Sequence, residues 1–180
     1  MPGVIFLDFD GPIFPSKVFI YPENNGEDSL AVCKKLNLHP YVNYWKADPN
    51  SIIMLNKLYE VYPYDLVISS SWADPWLHER DSIVAVLDIN GLEYNLHKDW
   101  KTPRDINHFR HAQISDWIKL HPEYKHNYII IDDHSSGDQL VNSQVLEEYN
   151  IIQENVFLVD VDEGMSYKQY KQIFNRILTW

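Results

Sequence analysis

The sequence predicts an α/β fold: a doubly wound parallel sheet with helices on both faces and a small flap or cap insert after the first strand. Two observations carry this prediction. Near-continuous apolar runs of strand length end abruptly in polar residues, and helical periodicities lie between them. The first run, Val4-Ile5-Phe6-Leu7, stops at Asp8-Phe9-Asp10-Gly11. A second, Asp65-Leu66-Val67-Ile68, stops at Ser69-Ser70-Ser71. Asn127 to Ile131 stops at Asp132-Asp133, and Asn155 to Val159 stops at Asp160. The weaker segment from Leu92 to Leu96 reads as an edge strand. Runs without polar alternation are buried on both faces, which is the environment of a parallel strand sandwiched between helices.

The helices follow from spacing. Ile52, Leu55, Tyr59 and Tyr62 recur on one helical face behind Asp48-Pro49, a capping residue followed by proline in the first turn. Tyr170, Ile173, Phe174, Ile177 and Leu178 form an apolar stripe behind a Ser166 cap. A further helix begins near Phe109, after a basic and polar stretch from His97 to His108 that reads as irregular. The segment from Pro15 to Asn50 is broken by Pro15, Pro22, Asn24-Asn25-Gly26 and Pro40, with Tyr21, Tyr41, Tyr44 and Trp45 between the breaks. Residues 15–50 read as a flap or small cap over the strand ends, with an ordinary surface excursion as the alternative, within one domain spanning 1–180.

Composition narrows the function. Hydrophobic residues make up 45% and aromatic residues 14%, which suits a packed globule and excludes a disordered chain. The formal charge of −11 repels phosphate backbones and weighs against a large nucleic-acid footprint. A small anionic substrate would need a local positive focus such as a metal ion. The single cysteine, Cys33, has no internal disulfide partner and reads as core filler among Leu30, Val32 and Leu36. No apolar run reaches membrane-spanning length and no segment has a signal-peptide layout, so a cytoplasmic protein with no membrane partner is expected.

The chemistry concentrates at the strand ends. In open α/β sheets, ligands bind in the crevice beyond the carboxyl ends of the strands. Alternation along an extended backbone puts Asp8 and Asp10 on one side and turns Phe9 into packing. Two acids converging on one spot repel each other unless a cation sits between them or their roles differ.

Acids after the first strand, serines after the second and an acidic pair after a later strand, in that order, resemble the haloacid dehalogenase (HAD) superfamily of phosphotransferases. Its motifs are Asp-x-Asp, then Ser or Thr, then Lys or Arg, then an acidic pair. Here Leu7-Asp8-Phe9-Asp10-Gly11 and Ile130-Ile131-Asp132-Asp133 are similar to the first and fourth. A closer likeness is to the bacterial and phage branch described as the HAD domain of "Swiss Army knife" RNA repair proteins. There a Ser or Thr precedes a Trp by two residues, as Ser70 precedes Trp72. A basic residue also opens a helix like Arg110-His111-Ala112-Gln113-Ile114-Ser115-Asp116-Trp117-Ile118, followed by His121-Pro122-Glu123. Arg110 is thereby the third-motif candidate, with Lys101 and Arg104 as rivals. Pro12 after the glycine and His134 after the acidic pair depart from the pattern.

The resemblance implies a HAD-like, Rossmann-like fold and a phosphatase with Mg²⁺ as cofactor. Asp8 would attack phosphorus to form an aspartyl-phosphate, and Asp10 would act first as general acid and then as general base. Asp8, Asp10 and Asp132 or Asp133 would supply the metal's oxygen ligands. Ser70 and Arg110 would stabilise the transferring group, with Gly11, Ser69 and Ser71 beside it. Tyr44 and Trp45 would stack on a nucleotide base. The expected partner is a small phosphorylated substrate, with a nucleotide favoured and nucleic acid only as an end substrate in repair. A phosphate- or protein-binding module on the same fold is the reading from outside enzymes. The plain structural alternatives are serines that cap a turn, an Asx turn at Asp132-Asp133, a helix cap at Asp138 and a structural ion pair at Arg110. None of the histidines, His108 and His111 included, has zinc-ligand spacing.

Overall fold

The computed structural model describes residues 3–21, 24, 46–73, 80–103, 109–133 and 139–180. Its five strands are β1 (Val4–Leu7), β2 (Asp65–Ile68), β3 (Asn95–Lys101), β4 (Tyr128–Asp133) and β5 (Val156–Val159). The helices are α1 (Pro49–Val61), α2 (Arg80–Ile89), α3 (Arg110–Leu120), α4 (Ser143–Glu148) and α5 (Tyr167–Ile177), with short 3₁₀ turns between elements. The strands form one sheet in the order β3-β2-β1-β4-β5, and every pairing is parallel.

Strand alternation divides the core between the two faces. Ile5, Leu7, Leu66, Ile68, Ile129 and Ile131 join a cluster containing Leu55 and Leu58 of α1, Ile83 and Val86 of α2, and Ile173 and Ile177 of α5. Val4, Phe6, Val67, Tyr128 and Ile130 point the other way, onto Ile114 and Trp117 of α3 and Leu146 of α4. All four residues of β1 are fully buried and the strand pairs on both sides, so the doubly wound prediction holds at the centre of the sheet. Each fully buried large aliphatic side chain contributes roughly 1.5–3 kcal/mol, which is why the central strand β1 is apolar throughout and polar residues follow it.

The helix starts also follow the sequence. Asp48 accepts the Ser51 N–H at 3.1 Å with Pro49 in the first turn of α1. Ser166 and Gln169 form a reciprocal capping box on α5.

Two expectations need correction. The edge strand runs over Asn95–Lys101, not Leu92–Leu96, and so takes in the first part of the stretch read as irregular. Leu92 instead closes α2: its N–H donates to Leu87 O and that of Gly91, at φ +71°, donates to Asp88 O. This is the Schellman stop, in which the apolar residue after glycine packs back on the core. The polar sequence of β3 is compatible with a strand because an edge strand is half exposed, and only His97 within it is buried. Helix α2 was not read from the sequence, although Ile83, Val86 and Leu87 have helical spacing and are buried.

The described ends of the 15–50 insert are fastened beside the strand ends. The Asn24 amide donates to Val18 O at 2.7 Å and to Lys46 O at 3.0 Å. Asp48 N–H bonds Ile13 O, and Ser16 N–H bonds Val161 O beyond β5. Tyr44 and Trp45, together with Cys33, Arg104, His108, His134 and Asp138, lie outside the described residues. Among the described residues no helix is long and apolar enough to cross a membrane.

Candidate active site

The strand order brings the chemistry together. The chain builds outward from β1 through β2 to β3, then returns to place β4 on the other side of β1. This reversal makes the crevice between β1 and β4 the switch point where open α/β sheets bind ligands. Leu7 lies level with Ile68 on one side and Ile131 on the other. The next residues, Asp8, Ser69 and Asp132, therefore emerge together. Asp8 N–H donates to Ile131 O and Ser69 N–H to Leu7 O, both at 2.9 Å, continuing the ladder past the last paired residues.

Arg110 opens α3 and reaches into this crevice. Its Nη1 is 3.3 Å from Asp8 Oδ1 and 3.5 Å from Asp132 Oδ2, with the three side chains almost fully enclosed. Of its two rivals, Lys101 bonds Ala73 O at 3.3 Å and lies over the Trp100 ring, while Arg104 is outside the described residues. Helical spacing positioned Arg110 on the inward face, as expected.

The remaining predicted groups surround these. Ser70 hydrogen-bonds the Asp8 carboxylate and accepts the Trp72 backbone N–H at 3.3 Å, at the start of the short 3₁₀ turn Ser71–Ala73. Ser69 is buried and Ser71 exposed. Asp132 Oδ1 accepts the N–H of its neighbour Asp133 at 2.9 Å, and both residues lie in β4 and form no Asx turn at that contact. Asp133 packs against Gly11, where φ is +81° and a Cβ would stand 2.6 Å from Asp133 Cβ. Only glycine accepts both the backbone angle and that approach.

Asp10 sits further out, half-buried. The indole Nε1–H of Trp72 donates to both of its carboxylate oxygens, at 3.1 and 3.2 Å. This contact was not read from the sequence. Its one signal was the position of Trp72, two residues after Ser70.

Burial sets the electrostatics. It raises the Asp8 carboxyl to about 6 against the opposing pull of Arg110 and of the Ser70 hydroxyl, and the charge on Asp10 adds to the rise. Asp132 is raised well above the usual carboxylate range by burial and by the charge on Asp8, with Arg110 opposing. Asp10 is raised by burial, which the Trp72 hydrogen bonds oppose and the charge on Asp133 reinforces.

This donor set fits a hard divalent cation. Asp8 Oδ1 and Asp132 Oδ2 are buried and accept no hydrogen bond among the described residues. Both share the one guanidinium nitrogen of Arg110 as ion-pair partner, and beside further carboxylates they keep negative charge that a cation with oxygen ligands would balance. A second group with ligating atoms, His97, Asp99 and His121, lies elsewhere. His121 caps the far end of α3, about 16 Å along the helix from Arg110. Packing accounts for that group: His97 Nδ1 accepts the Asp99 N–H, and His121 stacks on Trp117 and faces Asp99 at 3.3 Å.

The profile of the family described as "HAD domain in Swiss Army Knife RNA repair proteins" matches residues 4–170, a span that contains every group of this site. The chain belongs to that family. As a HAD domain it falls among proteins whose membership supports phosphatase chemistry in general and use of a divalent metal. No curated protein matches it. The solved HAD domain of effector protein Lem4 from Legionella pneumophila is similar in structure, with a TM-score of 0.54 and 18% identity. The match covers 99% of this chain and 94% of that one, and it supports the HAD fold alone.

Proposed function

We propose that this HAD domain is a Mg²⁺-dependent phosphomonoester hydrolase that works through an aspartyl-phosphate on Asp8. The observation that carries the reading is the convergence of Asp8, Asp132 and Arg110 at the sheet's switch point, with Asp10 held beyond them. Asp8, Asp10, Asp132 and Asp133 are the residues that would hold Mg²⁺, Asp10 through its backbone carbonyl, and a bound ion would supply positive charge to offset that of the carboxylates and the phosphoryl group.

In the first half-reaction an Asp8 oxygen forms a bond to phosphorus as the ester P–O bond breaks. Asp10 gives its proton to the departing alkoxide. In the second, Asp10, now a carboxylate, takes a proton from water, whose oxygen bonds phosphorus as the Asp8–phosphorus bond breaks. Phosphate leaves and both acids return to their starting states. Arg110 balances the charge spread over the phosphoryl oxygens, and Ser70 hydrogen-bonds one of them. Gly11, Ser69 and Ser71 border the group, and Tyr44 and Trp45 are proposed to stack on a base.

A phosphate-release screen over metabolites and nucleotides, with and without Mg²⁺, tests the reading. Mg²⁺-dependent release from at least one monoester is expected, and no release from any would refute it. Alanine at Trp45 or Tyr44 should raise KM for nucleotides and spare an aryl phosphate. The name of the matched family favours a second substrate class, phosphorylated nucleic-acid ends in repair. The net charge of −11 favours small substrates instead. Comparing a mononucleotide with an oligonucleotide bearing the same terminal phosphate separates the two.

A further inference from the structure

We infer that His97, Asp99 and His121 form a second metal site, a clamp for a borderline transition ion such as Zn²⁺ that ties the edge strand β3 to the end of α3. It is separate from the acidic crevice and does not rest on the hydrolase reading.

His97 and Asp99 stand two residues apart on β3, so strand alternation turns both toward one face. His121, the residue that closes α3, meets them there. One ligating atom from each of the three lies within 4.8 Å of the others. His121 Nε2 is 3.3 Å from Asp99 Oδ2. Two ligand atoms on a tetrahedral ion with bonds of about 2.0–2.1 Å stand about 3.3 Å apart, so that pair already has the required spacing. The Asp99 side chain is 56% exposed, which lets it swing to complete the set and leaves an ion a path from solvent.

Packing fixes the group, and what it fixes is a preorganised set of ligands. His121 stacks on Trp117 with centroids 4.0 Å apart, and His97 meets both rings edge to face. The Trp117 indole N–H donates to Asp99 O at 2.9 Å, which holds the backbone of the third member. Behind His121, Glu123 Oε1 lies 3.8 Å from Nδ1, the nitrogen that Asp99 does not face. A carboxylate on the far nitrogen of a ligating imidazole orients the ring and makes it a better ligand.

Donor chemistry selects the ion. Two imidazoles and a carboxylate suit Zn²⁺ and its neighbours, whereas Mg²⁺ keeps to oxygen ligands. One bond is given up on binding. His97 Nδ1 accepts the Asp99 N–H at 3.0 Å, so the neutral ring carries its proton on Nε2. Ligation through Nε2 moves that proton to Nδ1 and breaks the backbone contact, and ligation through Nδ1 displaces the contact directly. That loss weakens binding by up to about tenfold, the net worth of one neutral hydrogen bond. Three protein ligands leave the fourth position to water.

The full chain, stripped of metal by chelator and exchanged into buffer, is titrated with Zn²⁺ beside excess Mg²⁺. Heat of binding, thermal midpoint and the histidine ring ¹⁵N resonances are followed. Zn²⁺ should raise the midpoint and move the ring nitrogens of His97 and His121 ahead of those of the other histidines, and the response should survive Asp132→Asn. Asp99→Asn and His121→Phe should each weaken Zn²⁺ by at least roughly tenfold, the least that loss of even an outer partner costs. Phenylalanine keeps an aromatic ring beside Trp117 and removes both nitrogens. If it does not fold, Asp99→Asn decides alone, because that exposed side chain carries no packing. A wild type that shows no Zn²⁺ response overturns the inference. So does an affinity unchanged in Asp99→Asn, and so does a response lost in Asp132→Asn, which would put the ion in the acidic crevice.

Discussion

Arg110 Nη1 stands 3.3 Å from Asp8 Oδ1, an ion pair between the first turn of one helix and the end of the central strand. It places a permanent cation against a carboxylate that burial would otherwise keep protonated near neutrality. Because the same guanidinium nitrogen also faces Asp132, one side chain balances both.

Replacing Arg110 by alanine should therefore do more than remove a phosphoryl contact. Phosphatase kcat is expected to fall by about 10²–10³, as for loss of one transition-state donor. Its acid limb should also move to higher pH, because Asp8 and Asp132 lose the charge that favours their ionised forms. Lysine should restore part of the rate. A pH–rate profile of the two variants beside the wild type checks both effects, and an unshifted acid limb in Arg110→Ala would contradict the pairing.

Asp8→Asn should abolish turnover while stabilising the metal-free protein at neutral pH. The folded-state value for Asp8, about 6, exceeds the model-compound value of 3.8, so the folded chain binds more protons between those limits. Stability therefore falls as pH rises through that window, and the penalty is complete above it. Removing the charge recovers part of that penalty, on the order of 1–2 kcal/mol after the lost contact with Arg110. Denaturant titrations in chelator at pH 7 and near pH 4 should show the gain at the first and little at the second. A less stable Asp8→Asn at pH 7 would be evidence against burial as the main influence on this group.

Gly11→Ala should be costly in two ways. The residue's φ of +81° strains any side chain, and the new Cβ would collide with Asp133 Cβ at 2.6 Å. The positive φ alone costs about 1–3 kcal/mol, and displacement of Asp133 should weaken metal binding as well. Thermal unfolding with and without Mg²⁺ would resolve the two effects, and a variant with wild-type midpoints in both conditions would show that the loop relaxes freely.

Metal dependence offers a readout that needs no substrate. If the carboxylates of Asp8 and Asp132, which share one Arg110 nitrogen, also face a cation site, Mg²⁺ should raise the thermal midpoint, by an amount equivalent to about 2.7 kcal/mol at a hundredfold excess over Kd. Asp132→Asn should remove most of that response. In activity assays chelator should abolish turnover and Mg²⁺ restore it, while Ca²⁺, with looser geometry and higher coordination, should bind and inhibit. A midpoint indifferent to Mg²⁺ would count against the site.

Much of the fold was legible because its determinants are local. The apolar runs of β1, β2, β4 and β5 and the caps at Asp48 and Ser166 act over a few residues, so their outcome is written in adjacent positions. The edge strand was misplaced for the same reason. Leu92 is as apolar as a strand residue, and only Gly91 in its left-handed conformation shows it to be the end of a helix.

The sequence by itself determined that acids and serines stand at the ends of buried strands, since a chain that alternates apolar runs with polar stops has few other ways to bury them. Only the tertiary structure decided which of them meet. That Asp8 faces Asp132 depends on β4 pairing beside β1, a contact between distant segments that no local pattern encodes. Arg110 and Lys101 differ in where each side chain finds a partner, one on the buried carboxylates and the other on Ala73 O, which no local pattern shows. The hold of Trp72 on Asp10 depends likewise on a ring wedged against Phe9 and Phe14. Strand order and packing are global properties: the free energy that selects them is summed over the whole core, whereas the free energy of a cap or a strand end is felt within a turn.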